Sequence, residues 1–127
     1  MLKEAAITEV LVPLLREHRV DDIEIRAAAS TVHSIYNGIE RVLVLVLKDR
    51  RVNVPNGSKW HAELLVLAKN LGIISEDLYR RLREYLSFRH FFRHAYGQSL
   101  DPELLFPLVQ GAVPMIESMR TEVLSDA

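Results

Sequence analysis

Apolar residues recur every three or four positions through almost every segment of the chain, and no stretch alternates apolar with polar residues between turn signals. Such a pattern buries one stripe of each helix and offers no half-buried strand face, so the expected fold class is all-α. The first helix is expected from Leu2 to about Glu17, kinked at Pro13, which lacks a backbone donor. The second opens with Asp21 and Glu24, a reciprocal capping box, and runs to about Lys48 without a proline. Next comes Arg51-Val52-Asn53-Val54-Pro55-Asn56-Gly57-Ser58, an irregular loop by its Pro, Asn and Gly content. Ser58 is expected to cap a third helix, Lys59 to Asn70, that buries Trp60, Leu64, Leu67 and Leu71 and stops at a left-handed Gly72. Ser75, followed by Glu76 and Asp77, opens a fourth helix that ends near Gly97. Asp101-Pro102 opens a fifth, with bends expected at Pro107 and Pro114 and fraying from Leu124 to Ala127. Short connections join antiparallel neighbours, so the expected architecture is a four- to five-helix up-down bundle. The chain of 127 residues fits a single domain, 1–127, with a core large enough to need no staple.

Several function classes fall away on composition. The absence of cysteine removes disulfides, thiolate-bound zinc, iron–sulfur clusters and a cysteine nucleophile. The apolar run Val42 to Leu47 is too short to span a bilayer, and Met1-Leu2-Lys3-Glu4 is not followed by the long apolar region of an export signal. A cytoplasmic location without membrane contact is therefore expected. A formal net charge of -1 argues against a protein that coats nucleic acid, so any contact with nucleic acid must be local. No glycine-rich phosphate loop is present, and Ser99 has no paired base and acid to mark it as a nucleophile.

Chemistry concentrates in Phe88-Arg89-His90-Phe91-Phe92-Arg93-His94-Ala95-Tyr96-Gly97. At helical spacing Arg89 shares a stripe with Leu78, Leu82, Tyr85, Phe92 and Tyr96, which sets it at or beside a buried seam. A guanidinium there needs a partner, and a purely structural arginine would take a carboxylate such as Glu40 or Glu63. His90 and His94 share another face, while Arg89 and His94 stand about 140° apart on a straight helix. Either the last turn unwinds toward Gly97, or a site forms where two copies of the helix meet across a two-fold axis; the dimer is favoured. His90 and His94 could instead ligate zinc, but a third ligand has no sequence signature. Phe88, Phe91 and Phe92 suit core or dimer packing better than base stacking, and Arg80, Arg81, Arg83 and Arg93 suit a solvated face. His18, His33 and His61 have no motif support and are expected to be surface or satisfied core histidines.

Arg89, four intervening residues, His94, one residue and Tyr96 resemble the R-x4-H-x-Y motif of HepT-like proteins in the HEPN superfamily. His90 stands where relatives often carry a polar residue after the motif arginine. The segments Tyr36-Asn37-Gly38-Ile39-Glu40-Arg41-Val42-Leu43 and Trp60-His61-Ala62-Glu63-Leu64-Leu65 are similar to the same pattern, so the resemblance covers nearly the whole chain. It implies a homodimeric, metal-independent endoribonuclease toxin without a cofactor, acting on RNA and commonly on tRNA. Arg89, His94, Tyr96 and His90 would line the catalytic cleft. It also implies a minimal nucleotidyltransferase antitoxin that transfers AMP onto Tyr96. The alternative is a non-catalytic helical adaptor or substrate-binding partner of a nucleotidyltransferase.

Overall fold

The computed structural model describes residues 22–94 and 102–124, with side chains at 23–93 and 103–124. The helix expected between Leu2 and Glu17, the capping residue Asp21, the stop at Gly97 and the cap at Asp101 lie outside the described residues. Four helices follow in order: α1 (Asp22–Asp49), α2 (Trp60–Asn70), α3 (Glu76–His94) and α4 (Pro102–Met119), the last continued by a π-helical turn, Arg120–Leu124. The described residues contain no strand, so the fold is the all-α bundle that the apolar spacing predicts.

The longest element, α1, is the spine, and α2, α3 and α4 all pack against it. Its buried stripe, Ala28, Val32, Ile35, Tyr36, Ile39, Leu43 and Leu47, keeps the helical three-to-four spacing throughout. Burying each of these leucines and isoleucines contributes about 1.5–3 kcal/mol over its exposed state. From α3 come Leu78, Leu82 and Tyr85, and from α4 Leu105, Ala112, Met115 and Met119. The Tyr85 hydroxyl donates to the Leu108 carbonyl at 2.7 Å, a buried tie between α3 and α4. At Gly111 a Cβ would meet that hydroxyl at 3.3 Å, so the missing side chain admits the tyrosine.

Helix ends follow local chemistry in some places and not in others. At the end of α2 the Ile73 N–H bonds the Ala68 carbonyl and the Gly72 N–H the Lys69 carbonyl, with Gly72 at φ 75°, a complete Schellman stop. Ser75 caps α3 by accepting from the Leu78 N–H at 3.1 Å, while its hydroxyl and N–H both donate to Glu122. The π-helical turn is thereby tied to the start of α3. Two expectations fail. Ser58 does not cap α2, which begins one residue later behind Lys59 with no side-chain cap. The α2 stripe is Leu64, Leu65 and Ala68, with Trp60 and Leu67 only partly buried and Leu71 exposed, because α2 packs against both α1 and α3.

The end of α1 repeats the Schellman pattern, with Val52 N–H to Leu47 carbonyl and Arg51 N–H to Lys48 carbonyl. Here the left-handed residue is Arg51, at φ 60°. A Cβ in that region costs about 1–2 kcal/mol, against about 0.5–1 kcal/mol for the extra chain entropy of glycine. Arg51→Gly should therefore stabilise the fold by up to about 1 kcal/mol, read as a higher urea midpoint at unchanged slope. A lower midpoint would mean that the arginine side chain makes a compensating contact.

Candidate active site around Arg89

Positions 33, 36, 37 and 40 of α1 fall within about 100° of one another around the helix. They carry His33, Tyr36, Asn37 and Glu40, a polar patch that runs from the buried Tyr36 and Glu40 through the half-buried His33 to the exposed Asn37. Across from it, α3 presents Arg89, half-buried at the end of the seam formed by Leu78, Leu82 and Tyr85.

The Arg89 Nε–H donates to Asn37 Oδ1 at 3.2 Å. Asn37 Nδ2 in turn lies 3.1 Å from His33 Nε2. A guanidinium has donors only, so the Asn37 oxygen must face it and the amide N–H must point at histidine. His33 Nε2 is then a lone pair, with the ring proton on Nδ1, which is buried and without a partner among the described residues. Phe92 packs against the His33 ring at 5.1 Å and is itself stacked on Phe88 at 5.9 Å. Burial, reinforced by the positive charges of Arg89 and Arg93 and opposed by Glu40, lowers the His33 pKa below its ordinary 6.5. The neutral ring required by the hydrogen bonds is thus also the electrostatically favoured one.

This coupling gives a pH dependence with a definite sign. The folded chain holds His33 neutral, while the unfolded chain takes up its proton near pH 6.5. The unfolded state then binds more protons, so the contribution of His33 to stability is complete above about pH 6.5 and declines as the pH falls toward the folded value. Urea unfolding at about pH 7.5 and about pH 5.5 should show a smaller acid loss in His33→Gln than in the wild-type chain. Equal losses would contradict the assignment.

A second cluster lies deeper. Glu40 is the one buried charged residue among the described residues, and both its oxygens accept from His61 Nδ1, at 2.8 and 2.9 Å. The His61 ring lies against Trp60, tilted by 31° with the ring centroids 3.7 Å apart. The buried Tyr36 hydroxyl has no hydrogen bond of standard geometry among the described residues. Burial first, and then the Glu40 charge, raise its pKa far above the ordinary phenol value, so Tyr36 stays neutral.

Of the four residues singled out by sequence, Arg89 sits in this network and His90 is exposed on α3. His94 is the last residue of α3, so the helix does not unwind before it. Its side chain and all of Tyr96 lie outside the described residues. Arg89 is bonded to an amide and not to Glu40, which is engaged by His61, nor to Glu63, which is exposed. Phe88 and Phe92 pack against the core, as expected, while Phe91 is exposed. Arg80 and Arg81 form helix pairs with Glu76 and Asp77. No three of His, Asp and Glu are gathered for a metal among the described residues, and no helix among them is long and apolar enough to cross a membrane.

The described residues form an all-α bundle with a half-buried arginine near the end of the third described helix. Residues 27–125 match the family model described as HepT-like protein, and the chain belongs to that family. No curated protein and no solved structure matches the chain at a significant level.

Proposed function

We propose that the chain is a metal-independent endoribonuclease toxin that cleaves RNA, with tRNA the favoured substrate, to 2',3'-cyclic phosphate and 5'-hydroxyl ends. The observation that carries this reading is the held Arg89: a guanidinium fixed at one edge by Asn37, in a chain whose sequence continues to His94 and Tyr96. Intramolecular RNA cleavage needs a base for the 2'-hydroxyl proton, an acid for the leaving 5'-oxygen and positive charge on the phosphorane. Histidine supplies either proton role near neutral pH. Arg89 holds the non-bridging oxygens through forked, charge-assisted hydrogen bonds. His90, one residue on, orients RNA at the rim.

Because α3 is regular through position 94, its positions 89 and 94 stand about 140° apart around the axis, which supports a cleft shared by two chains. A homodimer contributes one His94 from each protomer and so furnishes both acid and base. Tyr96 beside that histidine is the site at which a nucleotidyltransferase antitoxin attaches AMP: the phenol oxygen bonds to the α-phosphorus of ATP and pyrophosphate leaves. The added phosphate carries negative charge into the place where RNA phosphate binds.

The purified chain should fragment a tRNA mixture, and fragmentation should cease once its cognate nucleotidyltransferase and ATP have added adenylyl mass to it. Tyr96→Phe should acquire no such mass. RNA left intact by a chain whose mass shows no modification would favour the adaptor reading, in which the bundle serves only as a partner of the nucleotidyltransferase.

A further inference from the structure

We infer that Asn37 and His33 are positioning residues for Arg89: they hold the guanidinium by its Nε edge, so that the fork of Nη1 and Nη2 is the edge presented to a phosphodiester. This rests on the nuclease reading proposed above. A guanidinium can grip two phosphate oxygens through Nε and one Nη, or through both Nη atoms. The bond from Nε to Asn37 Oδ1 uses up the first mode and leaves the second. Asn37 is itself exposed, but its amide N–H is bonded to His33, and the His33 ring is packed against Phe92 of the same helix that carries Arg89. The chain of contacts therefore runs from α3 to α1 and back, closing a loop around one guanidinium. An arginine side chain has high rotamer freedom, and fixing it before substrate arrives removes part of the entropy cost of binding.

The polarity of the chain is self-consistent in only one protonation state. A proton on His33 Nε2 would require the amide to reverse, setting Asn37 Nδ2 against the Arg89 Nε–H, donor against donor. The charged groups facing His33 are Arg89 and Arg93 from α3 and Glu40 from α1; both arginines oppose that proton, and Glu40 alone favours it.

Two readouts on the intact 127-residue chain separate this role from a general structural one. The first is the NMR signal of the Arg89 Nε–H, whose exchange with water should quicken about tenfold or more in Asn37→Ala. The second is single-turnover cleavage of a tRNA mixture. Asn37→Ala and His33→Ala should each lose about 10- to 100-fold in the cleavage step, whereas adding Asn37→Ala to Arg89→Ala should cost less than about twofold more. Asn37→Asp, which keeps an acceptor for Nε, should retain slow Nε–H exchange; it serves as the second variant if the alanine form fails to fold. Additive losses, or an Nε–H signal indifferent to Asn37, would overturn the positioning role while leaving cleavage itself, and the nuclease reading, in place. Slow exchange that depends on Asn37, in a wild-type chain that cuts no RNA, would instead overturn the nuclease reading and with it the assignment of a phosphate to the fork.

Discussion

Arg89→Ala should lower RNA cleavage by about 10²–10³-fold, the scale set by removing one preorganised donor to a developing negative charge. The fold should survive, since Arg89 is only half-buried and its hydrogen bond among the described residues is the one to Asn37. Loss of that bond costs about 1 kcal/mol, while the truncated stem leaves Phe88, Phe92 and His33 packed as before. Arg89→Lys should recover less than about a tenth of the lost rate, because an ammonium is a point charge that cannot hold Asn37 and fork two phosphate oxygens together. Circular dichroism with single-turnover cleavage reads both effects. An alanine variant as active as the wild-type chain would remove Arg89 from the chemistry.

The largest stability effect should come from Glu40. Its carboxylate is buried and both oxygens are bonded to His61. Glu40→Ala leaves the His61 Nδ1–H without its acceptor and opens space beside the buried Tyr36 ring. Breaking a buried pair from one side costs about 3–5 kcal/mol. His61 retains a 21% exposed side chain and can recruit water, so the lower end applies, about 3 kcal/mol. In a domain of this size that corresponds to a melting midpoint lower by about 10 °C. Glu40→Gln keeps an oxygen for the Nδ1–H and should lose only about 1 kcal/mol. Equal melting of Glu40→Ala and the wild-type chain would show that the pair contributes no net stability.

The contrast between these two sites explains how far the sequence could be read. Features fixed by a few neighbouring residues were legible: the Ser75 cap, the left-handed Gly72 and the long apolar stripe of α1 depend on local geometry alone. Ser58 has the chemistry of a cap, but α2 starts behind Lys59 and leaves it one position too early. Leu71 fits the helical period of α2 and yet is exposed, because which face is buried depends on where α1 and α3 lie.

The partner of Arg89 was harder still. Charge alone favours Glu40, yet Asn37 sits 52 positions away from Arg89 in sequence and meets it only through the register between α1 and α3. His33 carries no motif and reads by itself as an ordinary histidine. A usable signal was nevertheless present in the spacing: His33 and Asn37, like Tyr36 and Glu40, stand four residues apart, which places four polar-tipped side chains side by side at the edge of the buried stripe of α1.

The most direct test of the account is cleavage of a tRNA mixture by the purified chain in EDTA, alongside His94→Ala, with the fragment ends mapped. The account predicts fragments ending in 2',3'-cyclic phosphate from the wild-type chain and their loss in the variant. Intact RNA from a chain unmodified at Tyr96, or equal cleavage by His94→Ala, would contradict it.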